Sequence, residues 1–91
     1  MEIQWTRHAE DRQKEWEKKV EITRAEVESL VENPEQIVPG DRSAKIAQAK
    51  RGLGLLRAPF LEMEGNRKIL TVYWTSKVEK YWKEEQDEDT V

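Results

Sequence analysis

Two Ser/Thr-x-x-Glu boxes constrain this chain more than any other feature: Thr23-Arg-Ala-Glu26 and Ser76-Lys-Val-Glu79. In such a box the hydroxyl accepts a hydrogen bond from the backbone three residues on, and the glutamate reaches back, so each box marks a helix start. Ile22 and Val27 flank the first box as a hydrophobic staple. Val27, Leu30 and Val31 then recur at helical spacing. Asn33-Pro34 ends that helix, because the residue before proline disfavours the α region.

Upstream, Glu2–Trp5 reads as a short strand with Ile3 and Trp5 on one face. Thr6 is an N-cap for a helix from Arg7 to about Lys19, whose apolar stripe is thin: Ala9, Trp16 and Val20. Between Pro34 and Ser76 the signals are those of strands. Gln36–Val38 stops at Pro39-Gly40, Lys45–Lys50 alternates, and Leu55–Met63 follows the turn around Gly52 and Gly54. Pro59 cannot donate to a ladder, which argues for an edge or a bulge there. Gly65-Asn66 suits a tight hairpin. Lys68–Trp74 reads as one central strand in which Tyr73 and Trp74 face opposite ways, with Trp74 in the core beside Leu70 and Val72. The second box opens a final helix over Ser76–Lys83, with Val78, Tyr81 and Trp82 on one face.

Helices followed by strands indicate an α+β fold. The expected architecture is two N-terminal helices packed on a small antiparallel sheet, with a short C-terminal helix. Residues 1–83 form a single domain, and 84–91 an acidic flexible tail. With 36% hydrophobic and 38% charged residues the core is small, and four tryptophans make up part of the deficit. No cysteine is present, which excludes disulfides, thiolate metal sites and cysteine nucleophiles. No apolar run approaches a membrane span and no charged-then-apolar leader opens the chain, so the expected location is cytoplasmic, away from membranes.

The net charge of −3 is unevenly spread. Residues 84–91 hold five acids, which leaves 16 bases against 14 acids in the body. From Arg42 to Arg57 there is no acid at all, and Arg42, Lys45, Lys50, Arg51 and Arg57 supply a basic stretch able to attract phosphate. His8 is the only histidine, and so the one side chain whose ordinary pKa suits acid–base work near neutrality. Arg12, four residues on, lies beside it on a helix. Tyr81 can serve as acid, base or stacking platform, and Lys77 shares its helix. Each feature has a plainer role: His8 as a cap or a neighbour of Trp5, Tyr81 as a docking aromatic, and the arginines as partners of the many glutamates. One histidine without cysteine is a poor zinc set, so no metal and no cofactor are expected.

His8-Ala-x-x-Arg12, Asn33-Pro34 and Thr71-Val-Tyr73 followed by Lys77-x-x-x-Tyr81 occur in this order over nearly the whole chain. In that order the chain resembles small bacterial families of unknown function in the RelE/ParE/BrnT-like toxin superfamily. The resemblance implies a toxin-type endoribonuclease that cleaves RNA without a metal, alone or on the ribosome, and is paired with an antitoxin. It implies a site of His8, Arg12, Arg57 and Tyr81, with His8 as base, the arginines on the phosphate, and Tyr81 or Lys77 as acid or positioning group. Arg42, Lys45, Lys50, Arg51 and Lys77 would bind RNA. Trp16 stands where related domains carry a second arginine, and Glu17–Glu21 lengthen the link to the second helix.

Three readings therefore stand. An endoribonuclease requires His8, Arg12, Arg57 and Tyr81 on one concave face. A non-catalytic nucleic-acid-binding module requires a flat basic face along Arg42–Arg57. A protein-interaction adaptor or inhibitor requires exposed tryptophans, with Trp16 as the anchor.

Overall fold

The computed structural model describes residues 1–84; of the acidic tail only Glu84 falls within that range. The elements run β1 (Glu2–Trp5), α1 (Arg7–Val20), α2 (Arg24–Glu32), β2 (Gln36–Pro39), β3 (Lys45–Arg51), β4 (Gly54–Met63), β5 (Asn66–Ile69), β6 (Tyr73–Thr75) and α3 (Val78–Tyr81). The strands form one sheet in the order β1-β5-β4-β3-β2, and β6 also pairs with β4. The fold is α+β, with α1 and α2 on one face and the short α3 at the C-terminal end.

Local chemistry accounts for the helix starts. The Thr6 hydroxyl accepts from the Ala9 N–H at 3.0 Å. The Thr23 hydroxyl accepts from the Glu26 N–H at 3.1 Å. Helix α1 ends at Glu21, which adopts the left-handed conformation at φ 62° and donates its N–H to Glu17. The Glu21-to-Glu17 bond is the 5→1 closure of an αL cap, and Ile22 N–H reaches back further, to Trp16 O at 3.4 Å. Glu17–Val20, expected in the link, belong to α1, and the short link Glu21–Thr23 delivers Ile22, fully buried, to the core.

The core lies between the helices and one face of the sheet. Ala9, Ile22, Val27, Leu30 and Val31 meet Ala47, Leu56, Ala58, Phe60, Ile69 and Val72. Residues of the other parity on β3 and β4, among them Gln48, Leu55, Arg57 and Pro59, project from the outer face. Trp5 and Trp16 pack on the core's margin, and the Trp5 ring N–H donates to Glu28 at 2.8 Å.

Three expectations are corrected. The sheet is mixed rather than antiparallel, because β1 runs parallel to β5 along the register Glu2↔Asn66 to Trp5↔Ile69. Of the edge or bulge expected at Pro59 the edge is absent, because strand β4 is central with β3 on one side and β5 and β6 on the other, while the partner side carries one extra residue opposite Pro59. The expected Lys68–Trp74 strand is broken at Leu70–Val72. The last two have one cause. The Pro59 carbonyl accepts from Leu70 N–H at 2.8 Å, so its ring nitrogen faces the same side and offers nothing to pair. The partner strand leaves the ladder opposite Pro59 and rejoins it as β6.

The two boxes also part company. The first caps α2 through Thr23, but Glu26 turns its carboxylate to Arg51 instead of to its own cap. At the second, α3 begins at Val78 with Lys77 as cap residue and no side-chain cap bond, and the Lys77 N–H is taken by the Thr75 hydroxyl at 3.1 Å.

Candidate functional site

The period of two along β3 divides the basic stretch between the faces. Lys45 and Arg51 point to the helix side, where Lys45 pairs with Glu62 at 2.9 Å and Arg51 with Glu26. Arg51 also donates to Val20 O at 3.1 Å, so it staples β3 to the end of α1. Lys50 and Arg57 project outward. Arg42 lies in the β2–β3 loop at a left-handed φ of 58°. The flat basic face expected for a nucleic-acid module is therefore not assembled along the whole Arg42–Arg57 segment.

The expected four-residue cluster forms by half. Arg57 and Tyr81 meet on the outer face. His8 and Arg12 belong to α1, which packs on the opposite face through Ala9. Both are exposed, and Arg12 is occupied by Glu15 at 3.0 Å. Lys77 is exposed at the start of α3. Strand parity explains the separation: Arg57 lies between Leu56 and Ala58, both of which face the helices, so it must face away from them.

Arg57 is the centre of what does assemble. It is only 4% exposed. Its Nε donates to Gln48 Oε1 at 2.8 Å and its Nη1 to the Tyr73 hydroxyl. Its guanidinium carbon lies 3.9 Å from the centre of the Tyr81 ring and 5.6 Å from that of Tyr73. No carboxylate pairs with it among the described residues. Buried charges are ordinarily paired, because leaving water costs several kcal/mol per ion. The Tyr81 face recovers part of that, about 2 kcal/mol for a desolvated cation on a ring. The result is a buried positive charge that is hydrogen-bonded but not neutralised by any described residue.

Gln48 holds the arrangement together. It is fully buried, accepts from Arg57, and donates to Tyr81 O at 3.1 Å and to Gln36 Oε1 at 2.8 Å. Gln36 in turn accepts from Lys83 N at 3.1 Å. The Lys50 ammonium lies 4.6 Å from the Trp82 ring centre. These bonds lay α3 and Trp82 over one half of the outer face.

The other half is open. Beside Tyr73 lies a cavity of about 760 Å³ floored by Ile46 and Pro59. The β2–β3 loop brings Asp41 and Arg42 to one side, and Thr71 and Tyr73 form the other. Tyr73 spends its oxygen lone pair on Arg57, which leaves its hydroxyl proton free for a ligand in the cavity. Arg57 stands behind it as a charge in a low-dielectric setting, where its field is weakly screened.

Reasoning from sequence missed Gln48 and Asp41 and gave Tyr73 no role. An uncharged glutamine in an otherwise apolar or basic strand, in register with Arg57, was the available signal. Trp16, the anchor expected for an adaptor, packs on the core margin with Lys19 5.1 Å from its ring centre. All four tryptophans are half-buried. Among the described residues no group of histidine and carboxylate side chains is arranged to hold a metal, and no helix is long and apolar enough to cross a membrane. No family model, curated protein or solved structure matches the chain.

Proposed function

We propose that the protein binds RNA on the outer face of its sheet, with a backbone phosphate against the Tyr73 hydroxyl, Arg42 at the rim and Arg57 behind. The observation that carries this reading is the buried, unneutralised charge of Arg57 beside an open cavity. A fold gains little from such a charge, whereas an anion-binding site needs one. Arginine and backbone phosphate suit each other in charge and hydrogen bonding. The test is fluorescence anisotropy with a short single-stranded RNA at two salt concentrations. The wild type binds, and binds less tightly in high salt. Tyr73→Phe weakens binding, and Lys45→Ala, on the other face, does not. Equal affinity for all three proteins removes the proposal.

A second reading, the toxin-type endoribonuclease of a RelE/ParE-like family with an antitoxin partner, is supported by the two phenols on Arg57. Cleavage requires a cation on the phosphate and a proton donor for the leaving oxygen. Tyr73, hydrogen-bonded by Arg57, has that proton to give. In this reading the donor is Tyr73, with Tyr81 as the stacking partner of Arg57, while His8 and Arg12 serve α1. Growth arrest on expression and RNA cleavage with or without ribosomes, both lost in Tyr73→Phe and kept in His8→Ala, are the expected results. Binding without cleavage leaves the binding module alone.

A further inference from the structure

The cavity carries chemistry that a phosphate does not use. A carboxylate, Asp41, lines it, and no cation pairs with Asp41 among the described residues. Beside a phosphate that carboxylate is repulsive, so it must face another part of the ligand. Its loop is tightly built: Gly40 N–H donates to Ala44 O, and Ala44 N–H to Asp41 O, both at 3.0 Å. A Cβ at Gly40 would stand 3.2 Å from both Ala44 O and Ile46 Cγ1, so the loop lies directly against the cavity floor. Across from Asp41, the Thr71–Tyr73 wall belongs to the β6 side of the sheet, two strands from β3. That spacing is roughly 10 Å, room for one flat heterocycle over Ile46 and Pro59.

A carboxylate only accepts hydrogen bonds, and its two oxygens suit two adjacent N–H donors. Among the four RNA bases, guanine alone presents such a pair on its Watson–Crick edge, N1–H and the 2-amino group. Adenine and cytosine place an acceptor nitrogen beside their amino group, and uracil has one N–H between two carbonyls. Single-stranded RNA is commonly read on this edge, with the ring laid on apolar or aromatic side chains. We infer that the cavity is a guanine pocket, with Asp41 accepting from N1–H and the 2-amino group above a floor of Ile46 and Pro59. The inference rests on the RNA reading, because this guanine belongs to the nucleotide whose phosphate lies against Tyr73.

The test uses nucleosides, which lack phosphate, titrated into the full-length isotope-labelled protein and followed by amide chemical shifts. Guanosine should bind about tenfold or more tightly than adenosine, cytidine or uridine, the scale of one good bidentate pair. Inosine, which keeps N1–H but lacks the amino group, should fall between. Shifts should centre on residues 40–46 and 71–73. Asp41→Asn should erase the ranking while the remaining spectrum stays that of the folded protein. Four equal affinities, no guanosine binding up to its solubility, or an unchanged ranking in Asp41→Asn overturns the guanine pocket. If RNA still binds in a Tyr73-dependent way in any of those cases, the phosphate site stands and only the base assignment falls. If guanosine is selected but RNA binding ignores Tyr73, the phosphate site falls instead.

Discussion

The guanidinium of Arg57 lies 3.9 Å from the centre of the Tyr81 ring while its Nε holds Gln48 at 2.8 Å, so one buried cation ties α3 to the middle of the sheet. Tyr73, which that cation hydrogen-bonds, also lines the cavity. A structural latch and a binding site thus share one residue. The two roles make opposite demands: the latch needs only packing, whereas the site needs charge.

The capping boxes are expected to behave differently under the same substitution. Thr23→Ala removes a real cap bond and should cost about 1 kcal/mol. Ser76→Ala removes none and should stay within ~0.5 kcal/mol of wild type. Urea denaturation of both variants checks this. Equal losses would mean that Ser76 caps α3 after all.

Gly54 cannot carry a side chain. An added Cβ would collide with the Thr75 carbonyl and come within 2.5 Å of Trp74 Cζ2. The crowding follows from Trp74 folding back over the hairpin, where its ring N–H donates to Arg51 O at 3.0 Å. Gly54→Ala should destabilise by about 1–3 kcal/mol through overpacking. A change near zero would show that β6 is not docked on β4 as described.

Glu62 gives the folded state a sensitivity to acid. Its carboxyl is held below the usual range by the hydrogen bond from Lys45, helped by the Arg67 charge. A carboxyl with a lowered folded pKa adds stability above its unfolded pKa, and that stability is lost as pH falls through the folded value. Glu62 is exposed, so solvent and salt screen the effect. Glu62→Gln should therefore lower stability slightly at neutral pH and converge on wild type in acid, which flattens the acid limb of the stability–pH curve. A loss in Glu62→Gln that is as large in acid as at neutral pH would contradict this.

Much of the fold is legible in the residues because its signals are local. Thr6, Thr23 and Asn33-Pro34 bound the helices, and the hairpin expected at Gly65-Asn66 turns one residue earlier, at Glu64-Gly65, with Met63 opposite Asn66. The alternation that sends Tyr73 outward and Trp74 inward is also local: Tyr73 pairs with Arg57 and Trp74 with Leu56. Leu70 departs from that expectation and lines the outer cavity, because the break opposite Pro59 shifts the strand. Neither that break nor the parallel seating of β1 beside β5 has a local signature, since each depends on what the other strand lacks. The site was legible in part for the same reason. Arg57 and its outward direction follow from its neighbours, but joining it to His8 requires knowing which face α1 covers. Tertiary packing alone decides that.

The central claim is that Arg57 is charged for a ligand's sake and not for the fold's, and one variant separates the two. Arg57→Met keeps much of the volume and removes the charge. Replacing buried charges with apolar side chains is often neutral or stabilising, by about 1–4 kcal/mol. Denaturant stability and RNA affinity are to be measured on the same preparation of Arg57→Met. The account predicts unfolding free energy equal to or above wild type together with RNA binding weakened at least about tenfold, the scale of a charge-assisted contact. Strong destabilisation with RNA affinity unchanged would contradict it, and would make Arg57 a structural latch for α3 and nothing more.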